Sequence, residues 1–111
     1  MKDDLVYLRH ILDAILAAEE FCKPGRDAFM NDRKTRDAVV RNIEVIGEAA
    51  KNVSEGFRQT HADIPWHDMA AMRDKVIHQY FGVKFELVWD TVSDRLPGLR
   101  IAVEAILRTQ P

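Results

Sequence analysis

Arg33-Lys34-Thr35-Arg36-Asp37-Ala38-Val39-Val40-Arg41-Asn42-Ile43-Glu44-Val45-Ile46-Gly47-Glu48-Ala49-Ala50-Lys51-Asn52-Val53-Ser54 is the stretch that decides the fold class. Val39, Ile43, Ile46, Ala50 and Val53 recur at the three-and-four spacing that stacks side chains on one face of a helix, with Val40 and Gly47 beside them. Asp32 just upstream is a plausible N-cap, so the spacing predicts a helix from about Arg33 to Ser54. Gly47 in mid-helix costs ~1 kcal/mol relative to Ala. Together with Ala49 and Ala50 it points to close approach by another helix, from the same chain or from a second copy.

The same period extends outward in both directions. Residues 3–22 read as a first helix, with Leu5, Leu8, Leu12 and Ile15 as its stripe and Ile11, Leu16 and Phe21 widening it. Pro24-Gly25 stops it, and residues 26–32 read as a connector. Residues 55–64 read as a polar loop. Pro65 suits the first turn of a third helix, where its missing N–H costs nothing, and Met69, Met72, Val76 and Ile77 give that helix its apolar side. Gly82 is a candidate C-terminal cap, which would end this helix near Tyr80. A fourth helix is expected from about Lys84 to Arg95, with Phe85, Val88, Trp89 and Val92 inward. Pro97 opens a fifth, carrying Ile101, Val103, Ile106 and Leu107. No period-two run, internal repeat or low-complexity tract interrupts this pattern. The expectation is one all-α domain over residues 1–111, an up-and-down helical bundle of four to five helices.

Composition fits that reading. A chain of 111 residues that is 47% apolar and 31% charged can bury a core without disulfides or metal. The net charge of −2 argues against non-specific coating of nucleic acid, which rests on many phosphate contacts. It leaves room for one RNA gripped by a local basic patch, and Arg33, Lys34, Arg36 and Arg41 against Asp32 and Asp37 make 31–41 locally basic. The single cysteine, Cys22, reads as a small buried hydrophobe, since Lys23 alone is thin electrostatic support for a reactive thiol. The N-terminus lacks the layout of a signal peptide, and no apolar run approaches the ~20 residues of a membrane span. The expected location is the cytoplasm, away from the membrane.

Met72-Arg73-Asp74-Lys75-Val76-Ile77-His78-Gln79-Tyr80-Phe81-Gly82 carries the chemistry. It holds Arg73, His78 and Tyr80 at the spacing R-x4-H-x-Y. These side chains are what RNA cleavage without metal needs: a cation for phosphate, a proton carrier near neutral pH, and a phenol that donates or accepts a hydrogen bond. On a regular helix, at 3.6 residues per turn, Arg73 and Tyr80 share a face, whereas His78 points about 140° from Arg73. The three therefore converge only if the last turn unwinds toward Gly82, or if two copies face each other and build a cleft from both subunits. Asp74, four residues before His78, is placed to hold the imidazole in one tautomer and raise its pKa. Against this stands a plainer reading, a solvated helix end with a half-buried tyrosine. Plainer readings also hold elsewhere. His10 is a surface or boundary residue, His61 and His67 match no metal signature even with Asp63 and Asp68 nearby, Trp66 and Trp89 are core, and Glu19-Glu20 is a solvated face.

Arg73-Asp74-(x3)-His78-Gln79-Tyr80 resembles the motif of HEPN-domain ribonucleases, whose second position is usually polar, as Asp74 is. Ile46-Gly47-Glu48-Ala49-Ala50 resembles the second-helix segment of HepT-type toxins, and Pro65-Trp66, Val88-Trp89 and Leu96-Pro97 fall in the family order. The resemblance covers nearly the whole chain. It implies a HEPN-like helical bundle that forms a homodimer, with the two motifs in one cleft. It implies a metal-independent endoribonuclease without cofactor, the toxin of a type VII-like toxin–antitoxin system. The implied partner is a minimal nucleotidyltransferase antitoxin that neutralises the toxin by transferring AMP to the motif tyrosine, here Tyr80. Arg73, His78 and Tyr80 are then the catalytic residues, Asp74 a supporting one, and Glu48 a further candidate for the cleft, whose plainer role is a helix-surface salt bridge. The alternative is a non-catalytic helical binding subunit of a nucleotidyltransferase complex. The intact Arg73/His78/Tyr80 set counts against it, because a scaffold has no need of those groups.

Overall fold

The computed structural model describes residues 2–78 and 82–110. It begins with helix α1 (Lys2–Cys22), which buries Leu8, Ile11, Ala14, Ile15, Ala18 and Cys22. The buried stripe is narrower than the apolar pattern suggests, for Leu16 and Phe21 stand largely in solvent. Gly25, at φ 108°, takes the left-handed region that only glycine enters cheaply and turns the chain. The expected connector contains a short helix instead, α2 (Arg26–Asn31), because Phe29 drops into the core against Phe85 and Trp89. Phe29 is the buried anchor of this six-residue helix, which is too short to show a period in sequence.

Asp32 caps α3 (Arg33–Asn52) as expected. Its carboxylate accepts from the Lys34 amide at 3.2 Å and from the Thr35 hydroxyl at 2.7 Å. The Thr35 hydrogen bond leads the causes that hold this carboxyl below its usual pKa. Val39, Ile43, Ile46, Gly47, Ala49 and Ala50 are buried along α3. The polar loop that follows also contains a short helix, α4 (Glu55–Thr60), capped by the Ser54 hydroxyl. Ser54 is itself clasped by the buried Asp4 of α1, whose two oxygens accept from the Ser54 amide and hydroxyl, each at 2.7 Å.

After Pro65 comes α5 (Trp66–Val76), with Trp66, Met69, Met72 and Val76 buried and the Trp66 indole donating to the His61 carbonyl at 3.0 Å. This helix ends four residues short of the expected end near Tyr80. Ile77 donates its N–H to Arg73 as the last helical bond and then turns extended. A two-residue ladder follows: β1 (Ile77–His78) pairs antiparallel with β2 (Gly82–Val83), Ile77 opposite Val83 and His78 opposite Gly82. The Lys84 amide closes the base of this hairpin on the Val76 carbonyl at 2.9 Å. Adjacent β-branched Val76 and Ile77 favour leaving the helix, and Gly82 serves the hairpin at φ 78° rather than capping α5.

The fourth and fifth expected helices are one continuous rod. It runs through α6 (Phe85–Asp90), a π-helical turn (Thr91–Arg95) and α7 (Leu96–Arg108). The amide of Leu96 bonds the Thr91 carbonyl five residues back. Proline lacks an N–H and its ring collides with the carbonyl four residues earlier, so the wider turn ahead of Pro97 admits it without a break. Leu96, Leu99, Val103 and Ile106 form the buried face of α7, while Ile101 is 60% exposed, contrary to the expected stripe. α1 packs on α3 and α7, and α3 packs on α5. The protein is thus an all-α bundle of the expected kind, with α3 as the element that carries α5. No helix among the described residues is long and apolar enough to cross a membrane.

Candidate functional site around Arg73

Two features of α3 place Arg73. The first is Gly47. A Cβ at this position would sit 3.4 Å from the Ala70 carbonyl, 3.5 Å from that of Met69 and 3.9 Å from the Arg73 Cβ. The α5 backbone thus rests directly on α3 at Gly47, the close approach expected from Gly47, Ala49 and Ala50, and it occurs within one chain. The second is Glu44, one turn earlier on α3, whose Oε2 lies 3.5 Å from Arg73 Nε. Arg73 also donates from Nη1 to Asp74 Oδ1 at 3.2 Å. The guanidinium is 43% exposed, so it is oriented by α3 yet open to a ligand.

Sequence reasoning did not single out Glu44. No signal in either helix alone marks it: only once Gly47 meets Met69 and Ala70 does the residue one turn before Gly47 face the residue one turn beyond Ala70. Glu48 is placed elsewhere. It forms an exposed ion pair with Lys51 at 3.8 Å and lines a shallow groove of about 200 Å³ with Tyr7, His10, Arg41 and Asn52. Asp74 spends one carboxylate oxygen on Arg73. The backbone of His78 follows directly in β1, so the chain has left the helix before the histidine and the helical angle between Arg73 and His78 no longer applies. Tyr80 and the side chain of His78 lie outside the described residues.

Other candidates resolve to plainer roles. Among the described residues no three His, Cys, Asp or Glu side chains gather as a metal site. His61 packs on the Phe57 ring at 4.5 Å, and His67 is exposed. Within the basic segment, Arg33 pairs with Asp37, while Arg36 donates to the Met30 carbonyl and lies 4.7 Å from the Phe85 ring centre. Glu19 is not simply solvated, for it binds Arg100 at 2.8 Å and ties α1 to α7.

Residues 11–106 match the family described as "Ribonuclease HepT-like". The chain belongs to the HepT-like ribonuclease family. It is 46% identical over 95 residues to "Probable ribonuclease HepT" of Thermococcus cleftensis, covering 85% of this chain and 86% of that one. It is 40% identical over 108 residues to "Putative RNase MJ0127" of Methanocaldococcus jannaschii, covering 96% and 89%. It is also 40% identical over 111 residues to "Putative RNase TTE0752" of Caldanaerobacter subterraneus, covering 99% of each. No solved structure matches at a significant level. The HepT-like match spans α3, α5 and the β1–β2 ladder, which between them carry Glu44, Arg73 and the backbone of His78.

Proposed function

We propose that this HepT-like protein is a metal-independent endoribonuclease, with Arg73, His78 and Tyr80 as its catalytic residues. The observation that carries the proposal is the placement of Arg73. It is a half-exposed cation steered by Glu44 at the end of α5, next to the hairpin that bears His78 and leads to Tyr80. In the reaction, the RNA 2′-oxygen attacks the adjacent phosphorus as the bond to the 5′-oxygen breaks, giving a cyclic phosphate and a 5′-hydroxyl. His78 takes the proton from the 2′-hydroxyl or delivers one to the departing oxygen, and in a homodimer the two copies divide these tasks. Arg73 offsets charge building on the phosphoryl oxygens, and Tyr80 positions the phosphate or the leaving group.

The biological setting proposed is that of a toxin paired with a nucleotidyltransferase antitoxin. The antitoxin joins the AMP phosphorus of ATP to the Tyr80 oxygen and releases pyrophosphate. A bulky anion then stands where the RNA phosphate must sit, which blocks binding by charge and by size. The test is cleavage of RNA by the purified protein in EDTA. The wild type cuts and His78→Ala does not. Unchanged cutting by His78→Ala removes the histidine from the mechanism, and a wild type inert on RNA leaves the chain a binding subunit.

A further inference from the structure

Arg73 has two carboxylate neighbours of unequal standing. Glu44 reaches Nε from a different helix and is 32% exposed, whereas Asp74 reaches Nη1 from the next position in the chain and is 68% exposed. A guanidinium is a planar fork of N–H donors, and an anion that binds it bidentately takes two parallel N–H groups along one edge. Glu44 faces Nε as an ion-pair partner at 3.5 Å, and its helix is docked against α5 at Gly47, so backbone contact fixes the spacing of the two helices from which the pair projects. Asp74 occupies Nη1, one of the two terminal nitrogens that form the outer edge of the fork, the edge left to a bidentate phosphate when Glu44 faces Nε. An ion pair this exposed contributes little and yields easily to a better ligand.

We propose that Glu44 is the positioning residue for Arg73, and that Asp74 is a placeholder whose carboxylate the RNA phosphate displaces. Glu44 stays in place during binding and keeps the fork aimed. Asp74 satisfies the guanidinium only while the site is empty, and its negative charge opposes RNA entry. The two acids therefore act on different constants: Glu44 on the chemical step through the aim of Arg73, Asp74 on binding. This inference rests on the ribonuclease reading of the site.

The test is steady-state RNA cleavage by Glu44→Gln, Glu44→Asp, Asp74→Asn, Arg73→Ala and the double variant Glu44→Gln/Arg73→Ala. Misaiming a catalytic cation lowers kcat in Glu44→Gln by roughly tenfold or more with little change in KM. Glu44→Asp, which keeps the charge, recovers part of that loss, as a packing role would not. Asp74→Asn lowers KM, because a charge that competes with phosphate is gone. In the Arg73→Ala background, Glu44→Gln has no further effect. Wild-type kcat in Glu44→Gln, an equal loss in both backgrounds, or a raised KM in Asp74→Asn overturns the inference while leaving Arg73 in the site, provided Arg73→Ala is itself crippled. Full activity of Arg73→Ala overturns the ribonuclease reading of this site, and the inference with it.

Discussion

Single residues show how burial decides chemistry. Cys22 sits at the inner end of α1, and burial pushes its thiol up to about 11 from an ordinary 9.0. The thiolate is the nucleophile, so at neutral pH this sulfur is inert. Iodoacetamide at pH 7.5 should leave the native protein unlabelled and label the unfolded chain; rapid native labelling would show that the α1 end opens readily. The sign for stability follows. The folded state holds its proton more tightly than the unfolded one, so this contribution is present below the unfolded pKa and is lost as pH rises toward 11. That Cys22 is a core residue was legible, since nothing near it in sequence would activate it. Asp4 was not legible, because its partner Ser54 lies fifty residues away. With both oxygens committed to Ser54 and the carboxylate buried, Asp4→Ala should cost about 2 kcal/mol, measured by denaturant unfolding, by stranding the Ser54 amide. A change near zero would mean that water replaces the clasp.

At the scale of elements, legibility follows length. The stripes of α1, α3 and α7 span several turns and declare themselves through periodicity, and Asp32 marks the start of α3 by its own chemistry. α2 and α4 are six residues each, too short to show a period, and tertiary contact or a local cap fixes them. Proline misled at Pro97, where the rule that proline starts a helix met a π turn able to absorb it. The early end of α5 was legible only as one of two alternatives, and the chain takes it, leaving the helix at Ile77 for a two-residue ladder. The α3–α5 contact makes its own prediction. At Gly47 an alanine Cβ just fits at van der Waals distance and gains helix propensity, so Gly47→Ala should be close to neutral in stability. Gly47→Leu must push α5 away and separate Glu44 from Arg73, so it should lower both melting temperature and RNA cleavage. Wild-type cleavage by Gly47→Leu would show that the helix spacing does not set the site.

At the scale of the molecule, the bundle leaves the Arg73 side chain 43% exposed on its surface. A small helical bundle has little concave surface of its own, which is the physical reason to propose that a second copy completes the cleft. If the two His78 copies of a dimer divide the proton transfers, a mixed dimer of wild-type and His78→Ala protomers is inactive, so cleavage by re-equilibrated mixtures should fall as the square of the wild-type fraction. A linear fall would mean that each protomer works alone. The proposed control also acts here: peptide mass spectrometry of protein made with the nucleotidyltransferase should find AMP on Tyr80, and an unmodified Tyr80 in inactive protein would point to a different switch. The family was more legible than tertiary detail, because the segments that carry the resemblance are local patterns, whereas Glu44 meets Arg73 only once two helices have packed. The most direct measurement is the single-turnover rate of RNA cleavage in EDTA for the wild type beside Arg73→Ala, with circular dichroism confirming that both are folded. The account predicts a loss of ~100-fold or more on removing the guanidinium. Equal rates for the two proteins would contradict it.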